Sequence, residues 1–444
     1  MIAVPGLGVR SDFPPGEVAH DGTELLLFRR GVEVHDRDGT RSSTVPAVDQ
    51  RPGDAVVRPP LADSPLAYAI MRDGDRWLVC ERATQVITAR GPDMFSALDE
   101  ISRDGFWVGF VTYEAGRNIE RIEPRIVDDL GLPDLAFVRF DDVRVVNELP
   151  QQAETSAHTD ADEPSWALGV GESTMSSIEH ASLVARIQAL LGAGECYQVN
   201  LTRRISFDTA PDPRSLFLSL TRLNPAPHAG MCAFGAELAG LAVVSASPEL
   251  FLRVDGRAVE TRPIKGTAAD VATLRASTKD RAENLMIVDL ARNDLGRVCE
   301  YGSVDVPSLF AIEEHPGLTH LVSAVRGRLR PEIGLADLLR ATFPPASVTG
   351  APKPRVLQAI EDLETVPRGV YCGAFGWIDG ARERASLSVA IRTFTITGGR
   401  THLGVGGGIV ADSCADAEWA ETELKSARLL RAAGARTGGA VRVR

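Results

Sequence analysis

The chain has 444 residues, of which 44% are hydrophobic and 24% charged, and a formal net charge of −12 at pH 7. That is enough apolar material for a substantial buried core, built as one large intertwined domain or as a core with a smaller companion. An acidic chain has no diffuse attraction for nucleic acid or anionic lipid, which excludes both as bulk partners and leaves only a local basic pocket open. Six cysteines are scattered without a CxxC pair or metal-finger spacing, as expected of reduced thiols. The N-terminus lacks a charged leader followed by an apolar run, and no apolar stretch reaches about 18 residues. Cytoplasm follows by elimination.

Residues 1–150 carry a diffuse signal. Strand-like pieces occur at 23–28 and 77–80, with Asp-Gly turns at Asp21-Gly22, Asp38-Gly39 and Asp73-Gly74. The segment 105–116, GFWVGFVTYEAG, reads as a core strand in close contact with other backbone, and 143–147 as a further strand. Residues 151–170 read as a linker or exposed loop, since QQAETSAHTDADEPS is polar and lacks bulky apolar side chains. Signal is denser over 171–435. Ile178, Leu183, Ile187 and Leu190 predict a helix over 176–192, stopped by Gly192 and Gly194. An alternating strand is predicted at 197–204, a helix near 213–223, and strands at 229–235, 241–247 and 250–254. The helix at 277–291 has a possible capping box starting at Ser277 and an apolar stripe of Leu285, Ile287, Val288 and Leu290. Helices fit 335–341, 353–363 and 415–432; strands fit 371–378, 386–396 and 401–405. Residues 436–444 read as a short basic tail with no further domain. The mixture is α+β, with many antiparallel hairpins.

Several constellations carry chemistry, each with a plainer alternative. Asp280 and Glu283 share one face of the 277–291 helix, and Glu418, Glu421 and Lys425 form a stripe on the C-terminal helix, with Trp419 and Leu424 directed inward. Both are solvated acidic faces, or they converge as an oxygen-only site suited to Mg²⁺. The glycine run 403–409, LGVGGGI, lacks the βαβ setting of a dinucleotide loop. It is a tight strand-to-loop turn, or bare amides that grip a carboxylate. Lys265, between Ile264 and Gly266, is a turn lysine or one whose desolvation favours the neutral, nucleophilic form. Glu249 in ASPELF is an exposed turn residue or, if burial raises its pKa, a proton donor. The proline-rich loop 341–355 holds Ser347 stiffly near a site.

These stretches also form a known pattern. GECYQVNLTRR (194–204), SPEL (247–250), ETRPIKGT (260–267), DRAENLMIVDLARNDLGRVC (280–299), FPPASVTGAPK (343–353), YCGAFG (371–376), AIRT (390–393), GVGGGIVADS (404–413) and EWAETELK (418–425) resemble the chorismate-utilising enzymes. That family includes the first components of anthranilate and aminodeoxychorismate synthases, the isochorismate synthases and the salicylate synthases. The resemblance covers roughly 170–435, with 1–150 a looser match. It implies an anthranilate synthase component I-like fold, a large intertwined α/β core with antiparallel sheets and packed helices. It implies Glu283 and Glu421 as Mg²⁺ ligands, with Asp280 and Glu418 outside them. Glu249 is the implied general acid, and His320 a residue near the ring. Tyr371, Arg392 and the amides of Gly406, Gly407 and Gly408 are implied carboxylate binders. Lys425 lies close to the metal-bound carboxylate, and Ser347 and Thr267 complete the pocket.

Two positions divide the family by chemistry. Water-using members carry a lysine where this chain has Gln198, which is neutral and no general base. Gln198 therefore points to ammonia. Lys265 stands where anthranilate-forming relatives usually have alanine. The resemblance implies that it attacks C2 and that ammonia then enters at C4, giving 4-amino-4-deoxychorismate on the route to 4-aminobenzoate; C2 amination with pyruvate loss, giving anthranilate, is the alternative. With no amidotransferase segment visible, ammonia is expected from a separate glutamine amidotransferase subunit or from free solution.

Overall fold

A computed structural model describes residues 56–58, 67–149, 167–268, 271–315, 318–435 and 442–443. The expected strand at 23–28, the first two Asp-Gly turns, the linker up to 166 and most of the basic tail lie outside these residues. Arg51–Arg444 form one compact unit.

Antiparallel pairings link the strands into a long continuous ladder. One arm begins with Asp305–His315 against Leu318–Arg328, then Ala258–Arg262, Leu250–Asp255, Arg384–Val389 and Ala374–Asp379. Ala374–Asp379 pairs with Phe106–Val111, which leads through Leu135–Val146 and Arg76–Ala89 to Tyr68–Asp73. From there the ladder passes through His228–Ala233, Ala242–Ser247, Thr393–Thr397 and Arg400–Ile409 to Gln198–Phe207. Strands from residues 68–146 thus join two groups of strands from later in the chain, and this produces the mixed, intertwined α/β fold. Phe106–Val111 is as tightly packed as its glycines suggest: a Cβ on Gly109 would lie 2.0 Å from the Ala136 carbonyl oxygen.

The predicted helices form with shifts at their ends, and their inward faces differ in places. Ser177–Gly192 has a full capping box from Ser176 and Glu179, but its buried residues are His180, Val184 and Ile187, while Ile178 is exposed. Thr278–Gly296 is capped by Ser277, whose hydroxyl accepts the Asp280 N–H at 3.1 Å. Leu285, expected inside, is 52% exposed, and the polar Asn284 is buried in its stead. The Asn284 side chain accepts the Ser323 hydroxyl at 2.6 Å and donates to the Leu321 carbonyl at 3.3 Å, fixing this helix to the Leu318–Arg328 strand. On Ala415–Ala432, Leu424 is exposed, whereas Trp419 lies under the Arg203 guanidinium and against His180. Periodicity places apolar residues on a helix face but cannot foresee a polar residue recruited as a tether.

Three strand readings also change. Gln198–Phe207 is buried at every position rather than alternating, because other elements cover both faces. The single strand expected at 386–396 is two, Arg384–Val389 and Thr393–Thr397, broken where Arg392 adopts a left-handed φ of +52°. The glycine run is neither turn nor loop but the end of the Arg400–Ile409 strand. No helix of the described residues is long and apolar enough to cross a membrane.

Candidate active site

The fully buried strand and the glycine strand form one wall. Asn200 N–H donates to Thr349 O, and Thr202 N–H to Glu364, so these residues turn away from the neighbouring strand. Directly opposed residues of an antiparallel pair turn the same way, so Gly406 and Gly408, opposite Thr202 and Asn200, direct N–H and C=O to their free edge. Lys425 uses that edge, donating from Nζ to Gly406 O at 3.1 Å. Gly407 alternates with them, and its amide faces Leu201 within the sheet; its missing side chain faces Glu418 and Lys425, 3.4 and 3.9 Å from an added Cβ. An added Cβ on Gly408 would lie 2.8 Å from Gln198 Nε2 and 3.4 Å from Lys265 Nζ. Gln198 is fully buried, and neither end of its amide has a hydrogen-bond partner. An orphaned buried amide costs on the order of 1–3 kcal/mol, so this side chain is poised for a ligand.

Opposite lies the acid–lysine pair. Glu249 is 4% exposed and accepts from the Ser347 hydroxyl and the Ile264 N–H. Burial pushes its carboxyl up to about 7, although Ser347, Lys265 and Ile264 all pull downward. Lys265 is the next residue after Ile264 on the Ile264–Ala268 strand, so the hydrogen bond that anchors Glu249 also places the lysine beside it. Desolvation lowers the Lys265 pKa, aided by Lys425 and opposed by Glu283, Glu249 and Glu421. Both Glu249 and the helix-borne Glu283 and Glu421 thus lie within electrostatic reach of the lysine. Gly266 makes this possible with a φ of +76°; a Cβ there would lie 2.9 Å from the Asp280 side chain. Thr267 is in register with His320.

The third wall is cationic. Arg392 approaches the buried His320 ring nitrogen at 3.5 Å, and among the described residues it makes no ion pair. Desolvation and then Arg428 lower its pKa to about 10. A half-buried guanidinium without a carboxylate suits an anionic ligand. Tyr371 is placed differently: its ring packs on Gly404, and its hydroxyl, pushed far up by burial, lies in the field of Arg368 and Glu364.

The carboxylates come from two helices. Burial raises the Glu283 pKa, with Asp280 and Glu418 adding to the rise and Lys265 and Lys279 opposing it, so these four groups all lie within electrostatic reach of Glu283. Burial also pushes Glu421 up, but Lys425, at 2.6 Å, together with Lys279 and Lys265, holds it below its ordinary value. Glu418 is buried and accepts the Ser413 hydroxyl at 2.6 Å. Lys279 spans the gap, 3.9 Å from Glu283 and 3.7 Å from Glu418. Among the described residues no three acidic or imidazole groups form a ready-made metal cage. The donor chemistry nonetheless fits Mg²⁺, which typically takes only one or two carboxylates and completes its shell with water and substrate.

Behind the pocket lies a network that motif reading did not single out. Arg368 donates to Glu364 at 2.7 and 2.9 Å, to Val348 O at 2.8 Å and to Asn200 O at 2.7 Å, and lies over the Tyr113 ring. Glu364 also accepts the N–H and hydroxyl of Thr202, each at 2.9 Å. One buried ion pair thus joins the segment of Ser347 to the strand of Gln198. The available signal was a Glu and an Arg four residues apart across Val-Pro, which reads as surface decoration.

Fold and pocket by themselves define a class: a mixed α/β protein whose antiparallel sheet and two carboxylate-bearing helices enclose a cationic cleft. The sequence profile of chorismate binding enzymes matches residues 53–431. Aminodeoxychorismate synthase component 1 of Escherichia coli is 35% identical over 75% of this chain and 78% of its own length, and that of Klebsiella aerogenes 40% over 73% and 76%. Anthranilate synthase component 1 of Streptomyces coelicolor is 35% identical over 73% and 72%. The crystal structure of anthranilate synthase component I from Streptococcus pneumoniae matches with a TM-score of 0.65 at 25% identity, over 88% of this chain and 96% of that one. The chain belongs to the chorismate-binding enzyme family.

Proposed function

We propose that this protein aminates chorismate at C4, using Mg²⁺ and ammonia to form 4-amino-4-deoxychorismate, the precursor of 4-aminobenzoate. The observation that carries the reading is the pairing of Lys265 with Glu249, one with its pKa lowered and the other raised to about 7. Such opposed shifts favour a neutral amine beside a protonated acid, and the apparent values belong to the pair. Relatives named as aminodeoxychorismate synthases support the same branch.

In this reading Arg392 and the outward amides of Gly406 and Gly408 bind one carboxylate of the dianion. Glu283 and Glu421, with Asp280 and Glu418 outside them, would hold Mg²⁺, which when bound would neutralise the ring carboxylate. Lys265 Nζ bonds to C2, the ring double bonds shift, and the C4–O bond breaks as Glu249 donates its proton, releasing water. Ammonia then bonds to C4, the double bonds return, and the C2–Nζ bond breaks to restore the lysine amine. Glu249 takes the proton shed by the new amino group. Ser347 steadies Glu249, Lys425 the glycine edge, and His320 and Thr267 line the ring pocket. Gln198, being neutral, leaves ammonia as the nucleophile instead of activating water. Tyr371 supports the carboxylate wall through its packing on Gly404. The ammonia comes from a separate glutamine amidotransferase subunit in the cytoplasm.

The test is incubation with chorismate, MgCl₂ and an ammonium salt, read by a lyase-coupled assay for 4-aminobenzoate and by fluorescence for anthranilate. The first product is expected. Intact-protein mass spectrometry without ammonia should show a substrate-derived increment that is missing in Lys265→Ala. Anthranilate from the wild type, or an unchanged kcat for C4 amination in Lys265→Ala, would overturn the assignment.

A further inference from the structure

We infer that Lys279 is a tethered competitor for the divalent cation: its ammonium bridges Glu283 and Glu418 and weakens metal binding until it is displaced. The inference rests on the metal reading above but concerns a residue outside that ligand set. Lys279 stands in the first turn of the Thr278–Gly296 helix, one turn before Glu283, and reaches 3.7 Å to Glu418 on the other helix. It thereby links two like-charged helix faces that would otherwise repel. Lys265, the other lysine acting on Glu283, is half-buried and faces the pocket, whereas the Lys279 side chain is 56% exposed. Its partners are far less exposed, Glu283 at 16% and Glu418 at 6%, so Lys279 can swing into solvent once another cation takes over the two carboxylates. A divalent ion entering between the helices makes the lysine surplus and repels it. The arrangement keeps the carboxylates partnered before the metal binds and makes metal affinity modest by construction.

The experiment is calorimetric titration of the full chain with MgCl₂ alone, without chorismate, at constant ionic strength. Lys279→Met, which keeps the stem and removes the charge, should bind Mg²⁺ roughly three- to tenfold more tightly than wild type. Lys279→Arg should stay within about twofold. Thermal unfolding in EDTA checks that each variant is folded, and the Mg²⁺-induced rise in Tm should be larger for Lys279→Met than for wild type. Unchanged or weaker binding by folded Lys279→Met would overturn the inference while leaving the metal reading intact. Glu283→Gln separates the two: if it binds Mg²⁺ as well as wild type, the metal reading itself fails and takes the inference with it.

Discussion

At the scale of single residues, the pocket depends on how Glu249 is held. Ser347 donates to its carboxylate and so pulls its pKa down against the larger effect of burial. Ser347→Ala removes that pull, and the limb of the pH–rate profile that titrates near 7 should move to higher pH. A profile that stays in place would separate Ser347 from the acid. Glu249→Gln should lower kcat by about 10²- to 10⁴-fold with KM little changed, because the lost contribution is proton donation. Lys265 and Glu249 each stood out in the sequence because each sits in a short motif that contains a proline, PIKGT and SPEL. The reach of Glu283 to Lys265 was not legible, since it depends on a helix that follows in the chain and folds back. The isolation of the Gln198 amide was equally hidden: a glutamine in a strand looks satisfied until every neighbour is placed.

At the scale of elements, the glycine strand makes a sharper test than its motif. A Cβ on Gly406 would lie 2.4 Å from the Leu201 carbonyl oxygen, which is backbone and cannot move away. A Cβ on Gly408 meets the ends of two side chains instead. Gly406→Ala should therefore cost stability, about 1–3 kcal/mol in urea unfolding. Gly408→Ala should unfold close to wild type but bind chorismate less well, as Gln198 and Lys265 are pushed aside. Equal stability losses would show that both positions serve only sheet packing. The helices were legible because their apolar periodicity and caps are local. The break at Arg392 was not, because β-branched and polar residues on both sides continue a strand pattern, and nothing local marks the residue that takes a left-handed φ. Glu364 and Arg368 were hidden for a related reason: their partners, Asn200, Thr202 and Val348, come from distant segments.

At the scale of the whole molecule, buried carboxyls tie stability to pH. Burial raises both Glu114 and Glu249 to about 7, from an ordinary value near 4.5. A raised folded-state pKa contributes stability that is complete below the unfolded value and is lost as pH rises through 7. Glu249→Gln escapes that loss. Relative to wild type, its unfolding free energy should be close at pH 4.5 and higher by about 1–3 kcal/mol at pH 8. Urea titrations at the two pH values decide it, and a gap that does not widen with pH would mean that the folded pocket does not raise the Glu249 carboxyl above its ordinary range.

Arg392 sits half-buried and short of a counter-ion among the described residues, and on the proposed reaction this affects how the product departs. Amination changes one substituent at C4 and leaves both carboxylates of the molecule as they were. Every anchor that admits the substrate therefore holds the product equally well. The product therefore competes with fresh substrate for the same anchors. The enzyme would then turn over fastest beside a second catalyst that strips or cleaves the aminated ring as soon as it is let go.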